Sequence, residues 1–328
     1  MTIAAPGTVI RLAVASLMVA LAIIGAPPGM ATDWPTRPVR IIAPSTPGGA
    51  ADTFGRLLAD HLGEIVGGRF FVENRAGAGG LIGAQAAANA EPDGATFVTS
   101  SVAYHAIAPA VSPNPGFHPL RDFTHVAFIG GPPNVFVVNP ASGVRSLREL
   151  VALAAREPVA YVSPGVGTLG HLTAERLAQL ANIQLQHIPH KGASTAMMDL
   201  VAGTVSLGTM TWTSALGQIR AGKVIPIAVT SRARLAEAPD LPTFQELGYD
   251  DLVATTWFGL SGPAGVPHDI VQKLNRAVID VLALPEVRAR LQRDAIETQA
   301  MTPEEFTAFL AREIDKWAPL ARRVGQAN

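Results

Sequence analysis

Two glycine-rich segments carry the residue types best suited to holding a small anion. They read APSTPGGAAD (43–52) and SPGVGTLGHL (163–172), and each joins an apolar run to a helical pattern. Glycine lets the backbone approach a ligand closely, and the first amides of a helix attract negative charge. One such turn alone usually serves chain reversal, but two facing one cleft would clamp an anion. The turn residues are Pro47, Gly48 and Gly49 in the first segment and Gly165 and Gly167 in the second, where a helix begins at about Thr168.

The second segment also has the spacing GxGxxG, at Gly165, Gly167 and Gly170, which is typical of dinucleotide sites. Such a site needs a carboxylate about 20 residues further on, at the end of the next strand, to hold the ribose hydroxyls. The next strand pattern ends in HIPHKGAS (187–194), which contains no carboxylate. We therefore expect a smaller anion, with no nucleotide and no other organic cofactor.

Candidate catalytic and metal-binding residues lack the partners that those sites require. Three serines follow strand patterns but lie outside any GxSxG elbow: Ser100, Ser101 and Ser163. His187 and His190 are three residues apart, with no third metal ligand nearby. We predict no metal site and no catalytic residue.

The elements that must position the turns alternate along the chain. Short β-type runs alternate with helical patterns as far as about residue 262, which predicts an α/β protein with mainly parallel sheets. The strand patterns cover 39–44, 69–74, 95–100, 124–130, 134–140, 159–164, 183–189, 204–210, 225–231 and 253–262. From Pro267 onward there are three helical patterns and almost no strand signal.

Two segments are expected to cross from one lobe to the other: FIGGPPNVFVVNP and the extended stretch around 252–262. They divide the chain into a first lobe, 32–133 plus 255–328, and a second lobe, 134–254. We therefore expect a two-lobed binding protein of the type II kind, with two hinge strands. A third glycine-rich unit, 71–90, joins a strand to a small-residue helix and either adds amides to the cleft or allows close packing.

The first 31 residues read as a secretory signal peptide. One cation, Arg11, precedes an apolar stretch shorter than the ~20 residues of a membrane span, and small residues follow it. The chain has no cysteine and a formal net charge of −1, which excludes a lipidated cysteine and argues against nucleic-acid binding. We expect a periplasmic product, not lipid-anchored and monomeric.

With these motifs in place, the chain resembles the Bug or TctC family, the periplasmic substrate-binding proteins of tripartite tricarboxylate transporters. The segments that carry the resemblance are STPGGAAD, ENRAGAGGLIGA, SPGVGTLGHL, PHKGASTAMMDLVAG and TPEEFTAFLAREIDKW. They extend over essentially the whole chain after the signal peptide. The resemblance implies a hinge-bending receptor that holds a small carboxylate through backbone groups, hydroxyls and bridging waters.

The resemblance also implies which positions hold the ligand. Thr46, Pro47, Gly48 and Gly49 match the first clamp of the family, and Val166, Gly167 and Thr168 match the second. Asp52 matches the acid that follows the first clamp, although its spacing from Gly49 equally fits a helix-capping residue. The remaining matches are His171 after the second clamp, Ser101 at the end of the third strand, and Lys191 and Ala193 in a loop beside Gly192.

One departure from the family pattern bears on the ligand. Relatives carry two acids around 203–210, and the last one faces the ligand's ammonium in amino-acid-binding members, whereas this chain has Ser206 and Met210. An ammonium beside Met210 would lose its charge partner, which costs about 2–5 kcal/mol in a desolvated cleft. We therefore expect a dicarboxylate, hydroxy-acid or aromatic carboxylate.

The expected activity is reception of this ligand for a membrane permease. Two alternatives remain open on the sequence: a sensory subunit that docks on a membrane kinase, and an exported carboxylic-acid hydrolase or isomerase using His171, Asp52 or a serine.

Overall fold

The computed structural model describes residues 34–190 and 192–326. The predicted signal peptide (1–31) and Lys191 lie outside the described residues, so both remain predictions. Ten strands form two five-stranded sheets. The division of strands follows the predicted order of the lobes, and the lobe boundaries themselves remain predictions.

The first sheet has the strand order β2-β1-β3-β10-β4. Its strands are β1 (Val39–Ala43), β2 (Phe70–Asn74), β3 (Thr96–Ser101), β4 (Phe123–Gly130) and β10 (Phe258–Pro263). The second sheet has the order β7-β6-β8-β5-β9. Its strands are β5 (Asn134–Val138), β6 (Val159–Ser163), β7 (Leu185–Pro189), β8 (Leu207–Thr211) and β9 (Ile225–Val229).

The two sheets have the same pattern of strand directions. β1 is parallel to β2 and β3, and β6 is parallel to β7 and β8. β10 and β5 are each antiparallel to both of their neighbours. Four strands of each sheet therefore point the same way, as predicted, and the fifth is reversed. The reversed strand is in each case the first one after the chain crosses from the other sheet.

Ten α-helices flank the sheets in the described residues. They are α1 (Ala50–Val66), α2 (Leu81–Ala88), α3 (Ala108–Val111), α4 (Leu147–Ala154), α5 (Leu169–Ala181), α6 (Ala193–Ala202), α7 (Trp212–Arg220), α8 (His268–Ala283), α9 (Pro285–Arg293) and α10 (Pro303–Gln326). The predicted three C-terminal helices are confirmed. In α1, Phe54, Leu57, Leu58 and Leu62 form a buried apolar face, whereas Ile65 is exposed.

Each sheet is packed by apolar side chains, and one further cluster joins elements that follow different sheets. Phe136, Tyr161 and Leu177 belong to the cluster on one face of the second sheet. The joining cluster brings Leu169 and Leu172, from the first turn of α5, together with buried residues of α10 and of the segment 254–257. The first turn of α5 is therefore fixed by packing as well as by its own hydrogen bonds.

The two crossings run side by side. The first spans 131–133, between β4 and β5, and the second includes 254–257, ahead of β10. The amide of Thr256 donates to the carbonyl of Pro132 (2.9 Å). Helix α10 holds the second crossing through the indole of Trp257, which donates to Glu313 (2.8 Å), and through Lys316 Nζ, which donates to Val253 O (2.7 Å). The predicted last strand consequently starts only at Phe258, because the residues before it form the crossing.

A π-helix, Val102–Ile107, follows β3 and was not foreseen from the sequence. Its His105 is fully buried among aromatic rings, and neither ring nitrogen has a hydrogen-bond partner among the described residues. Burial lowers the pKa of His105 well below its usual range. The ring is therefore neutral and carries two unsatisfied polar atoms.

We predict that His105→Leu stabilises the fold. The substitution removes two buried polar atoms that lack partners at little change in volume, and we expect a gain of about 1–2 kcal/mol in the free energy of unfolding. Urea unfolding at pH 7 checks it. The exposed His268→Leu serves as the control and should show no gain; a loss of stability in His105→Leu would contradict the prediction.

Candidate ligand-binding loops

The two predicted turns lie at corresponding points of the two sheets. The first loop, residues 44–49, joins β1 to α1, and the second loop, residues 164–168, joins β6 to α5. In the strand orders β2-β1-β3 and β7-β6-β8, the chain leaves β1 or β6 toward one side and later returns on the other. This reversal of strand order at the carboxyl ends is where open α/β sheets leave a crevice for ligands.

The strand directions bring the carboxyl ends of the two sheets toward each other. β4 points the same way as β1, and β5 begins at the edge where β6 ends. Only residues 131–133 separate the end of β4 from the start of β5. Three residues span at most about 10 Å. Both loops therefore face the space beside this short crossing.

One contact shows how close the second loop comes to the first sheet's elements. A Cβ atom built on Gly167 would lie 3.8 Å from Cγ2 of Ile107, at the end of the π-helix that follows β3. The exposed side chain of the neighbouring Val166 marks the loop as accessible.

The first loop is held by the carboxylate of Asp52. Gly48 has a φ of +80°, and its amide donates to Asp52 Oδ2 (2.9 Å). Asn74 Nδ2 donates to Asp52 Oδ1 (2.9 Å), and Arg56 pairs with the same carboxylate at 2.9 Å. The Arg56 guanidinium and these donors lower the pKa of Asp52 to about 2. Asp52 is thus an ionised residue inside the loop structure.

The second loop is held by the imidazole of His171. Gly167 has a φ of +74°, and its amide donates to His171 Nδ1 (3.1 Å). Thr168 caps α5, because its hydroxyl accepts from the His171 amide (3.4 Å) and donates to Gly165 O (2.8 Å). Burial, together with the neighbouring His187, lowers the pKa of His171 to about 3. His171 is therefore a neutral acceptor.

Four backbone amides in the two loops are bound within the protein and are not free to bind a ligand. The turns are predicted to hold an anion through backbone groups, but the amides of Gly48 and Gly167 already donate to side-chain acceptors four residues on. The amides of Gly49 and Thr168 are also bound, to carbonyls within their own loops. The helix amides without an intrahelical acceptor begin one residue later, at Ala50 in α1 and at Leu169 in α5.

The other predicted ligand residues occupy different environments. Ser101 ends β3, is buried, and its hydroxyl accepts from the Ala103 amide (3.3 Å). Ala193 begins α6 and lines a groove on that helix with Met197 and Met198. Thr46 and Pro47 are exposed in the first loop. These positions put Ser101 at the carboxyl edge of the first sheet, as predicted, and leave its role and that of Ala193 as predictions.

Met210 requires a correction, because its side chain faces the core and not a loop. It is 0% exposed and belongs to an apolar cluster with Val135, Val229 and Leu200. Side chains alternate along a strand, and on the opposite face of β8 the hydroxyl of Thr209 donates to Gly170 O (2.8 Å). The expected contact of Met210 with a ligand therefore has no support in this arrangement.

Sequence reasoning missed a set of buried polar atoms near the facing edges. Ser100, Asn134, Trp212 and Ser231 each have a buried side-chain nitrogen or oxygen without a partner in the described part of the chain. Each lies within two residues of a strand end or start on these edges. Buried polar atoms are normally satisfied by protein, water or ligand. In the sequence, the only sign of these residues was their position at one end of an apolar strand run.

The serine and histidine side chains that a hydrolase would use do not form a complete catalytic set in the described residues. Ser163 Oγ lies 2.7 Å from His187 Nε2, but His187 Nδ1 is buried without a partner among the described residues. No acid therefore orients the ring, as a nucleophile's base requires. Ser163 also bridges both backbone groups of Gly165 (3.1 and 3.2 Å), which makes it part of the loop's framework. His190 instead pairs with Asp199 (2.8 Å).

The geometry agrees with the family model that the chain matches. Residues 54–326 match the model described as tripartite tricarboxylate transporter family receptor, TctC. The chain belongs to this family. Within residues 34–190 and 192–326, no helix of the TctC chain is long and apolar enough to cross a membrane. The predicted family and fold class are confirmed.

Individual relatives are similar over nearly their whole length. Protein BugT of Bordetella pertussis is 34% identical over 317 residues, covering 96% of this chain and 97% of BugT. The R. palustris structure Rpa4515 with adipate has a TM-score of 0.77 at 31% identity, covering 89% of this chain and 99% of that one. MatC from Rhodopseudomonas palustris with bound malate has a TM-score of 0.73 at 28% identity, covering 88% and 100%.

The buried neutral histidines predict an acid-sensitive fold. Burial lowers the pKa of His171 to about 3 and the pKa values of His187 and His125 to about 4, against about 6.5 in an unfolded chain. As the pH falls from 6.5 toward 4, only the unfolded chain takes up these protons, so stability should fall. Below about pH 4, the unfolded chain also takes up a proton at Asp52, whose pKa in the folded protein is about 2, so the free energy of unfolding falls further.

Urea unfolding at pH 7 and pH 5 tests this expectation. We expect a lower free energy of unfolding at pH 5, and a smaller difference in His187→Gln, whereas the exposed His268→Gln should behave like the natural chain. Equal stability of the natural chain at both pH values would contradict the prediction.

Proposed function

We propose that this TctC chain is a non-enzymatic periplasmic receptor that binds a small carboxylate between its two loops. The observation that carries the proposal is the pair of matched loops at facing carboxyl edges, each opening a helix of 13 residues or more. Amides at two helix N-termini stabilise an anion without a fixed cation. Binding would shift the population toward a form in which both lobes contact the ligand.

The ligand class is proposed from the relatives and from the polar groups near the loops. Rpa4515 holds adipate and MatC holds malate. The unpartnered atoms of Asn134, Trp212, Ser100 and Ser231 are uncharged, which suits hydroxyl or carboxylate oxygens. We therefore favour a dicarboxylate or hydroxy-acid, with an aromatic carboxylate as the third candidate.

The partners follow from the same assignment. After removal of residues 1–31, the receptor would act as a monomer in the periplasm and deliver its ligand to a membrane permease. The sensory alternative shares the binding chemistry, and recovery of membrane proteins with the ligand-bound receptor separates the two. Turnover of a bound carboxylate, lost in Ser163→Ala, would instead establish an enzyme.

A thermal-shift screen tests the ligand class. At a ligand concentration of 100 Kd, binding adds about 2.7 kcal/mol to stability, which raises Tm by roughly 4 °C in a chain of this size. We expect such a rise with a member of a panel containing adipate, malate, aromatic carboxylates and amino acids. A rise with amino acids alone would contradict the ligand class.

Substitution of the loop glycines tests the site. Gly48→Asp and Gly167→Asp should reduce affinity at least 100-fold in calorimetry, because each places a carboxylate where an anion is to bind. A Cβ atom meets nothing within 4 Å at Gly48, and only Ile107 at 3.8 Å at Gly167, so the fold should persist.

Gly143→Asp provides the matched control. Gly143 is exposed, has a φ of +76°, and its Cβ position is also open, so it bears the same backbone strain outside the loops. Its affinity should equal that of the natural chain. Unchanged affinity in Gly48→Asp and Gly167→Asp would refute the proposed site.

A further inference from the structure

The two loops share one hydrogen-bonding device. In each, a glycine with φ between +74° and +80° donates its amide to the side chain four residues later. The distances are 2.9 Å from Gly48 to Asp52 Oδ2 and 3.1 Å from Gly167 to His171 Nδ1. Each acceptor lies in the first turn of its helix and is at most 3% exposed. The acceptors therefore fix the loop from within.

The charged residue that follows each acceptor by four positions has opposite sign in the two loops. Four residues after Asp52 comes Arg56, which neutralises the carboxylate at 2.9 Å. Four residues after His171 comes Glu175, whose Oε1 lies 3.9 Å from His171 Nε2 and accepts from the Tyr161 hydroxyl (2.7 Å). An anionic acceptor suits the first loop, where a cation follows. At position 171 an anionic acceptor would face Glu175, so a neutral one is required.

The tautomer of His171 follows from its contacts. Because the Gly167 amide donates to Nδ1, the ring proton lies on Nε2, on the side of Glu175. The ring also stacks on His187, with centroids 3.8 Å apart, and His187 bonds Ser163 at the base of the same loop. A second proton on Nδ1 would point at the Gly167 amide and break the loop's hydrogen bond.

We propose that Asp52 and His171 are positioning residues for the ligand loops, and that position 171 requires an uncharged acceptor. Each acts through its glycine and not by touching the ligand. With the glycine amide held inward, the loop presents the first free helix amides, at Ala50 and at Leu169, toward the gap. This inference rests on the proposed function for its effect on affinity, but not for its effect on the loop.

Three variants at position 171 test the second loop. His171→Phe keeps a ring to stack on His187 but removes the acceptor, His171→Asn keeps a neutral acceptor, and His171→Asp supplies a charged one beside Glu175. We expect affinity for adipate or malate, whichever the natural chain binds, to fall about 5- to 150-fold in His171→Phe. It should stay within about threefold in His171→Asn and fall at least tenfold in His171→Asp.

Glu175→Arg tests the inverted charge order. In the double variant His171→Asp with Glu175→Arg, the second loop has the acid and cation of the first loop, and affinity should recover relative to His171→Asp. Glu175→Arg alone is the control for loss of the Tyr161 hydrogen bond. If Glu175→Arg alone keeps measurable affinity and the double variant binds no more tightly than His171→Asp, the requirement for an uncharged acceptor is overturned.

Amide hydrogen exchange at Gly167 tests the positioning role without a ligand and shows whether a variant is still folded. The amide should exchange at least tenfold faster in His171→Phe than in His171→Asn, while amides of β6 keep their protection. Equal exchange in the two variants, or equal affinity, would overturn the positioning role. If the natural chain binds no member of the panel while the exchange difference persists, the proposed function fails and the positioning role stands.

Discussion

The structure depends on one constraint of chain direction. Each time the chain crosses between sheets, the incoming strand runs antiparallel to its new neighbours, as β5 and β10 do. A crossing that leaves the carboxyl end of β4 therefore enters the second sheet at its carboxyl edge. Because both carboxyl edges then adjoin the same short crossing, every loop that follows a parallel strand in either sheet opens toward one gap. If β5 ran parallel to its neighbours, the second loop would lie at the end of the second sheet that is farthest from the crossing.

In the proposed function, the loops would hold an anion through backbone amides, where many anion sites use arginine. Amides at a helix N-terminus are fixed by the helix, so they lose little side-chain entropy on binding, and they carry only partial charge. A site built this way needs a precise loop shape, since each donor acts over a short distance. The acceptors Asp52 and His171 supply that shape without adding charge that faces the gap, because Arg56 neutralises the first and burial keeps the second uncharged.

Sequence reasoning reached the fold and the loops because both depend on local patterns. Alternating apolar runs predicted all ten strands, and Gly48 and Gly167 stood out because each lies in a glycine-rich turn between a strand run and a helical pattern. The spacing of Asp52 already fitted a capping residue, but His171 was not foreseen as an acceptor within its loop. The bond from Gly167 to His171 depends on a ring orientation set by stacking on His187. The placement of Met210 was wrong for a related reason. Whether an end-of-strand residue faces the core or the gap depends on the register of β8 against β5 and β6, which no local pattern specifies.

In the proposed function, the first turn of α5 would link ligand binding to the second crossing. On one side it supplies Thr168 and His171 to the second loop; on the other, Leu169 and Leu172 pack in the cluster that contains Trp257 of the second crossing. The same Trp257 is tied to α10 by its bond to Glu313. A rigid turn that contacts both the loop and the crossing cannot move at one without moving at the other. In the proposed closure, rotation of the lobes would either carry α5 and α10 together or slide Leu169 and Leu172 across that cluster. Sliding would cost apolar contacts that the ligand's hydrogen bonds would have to offset.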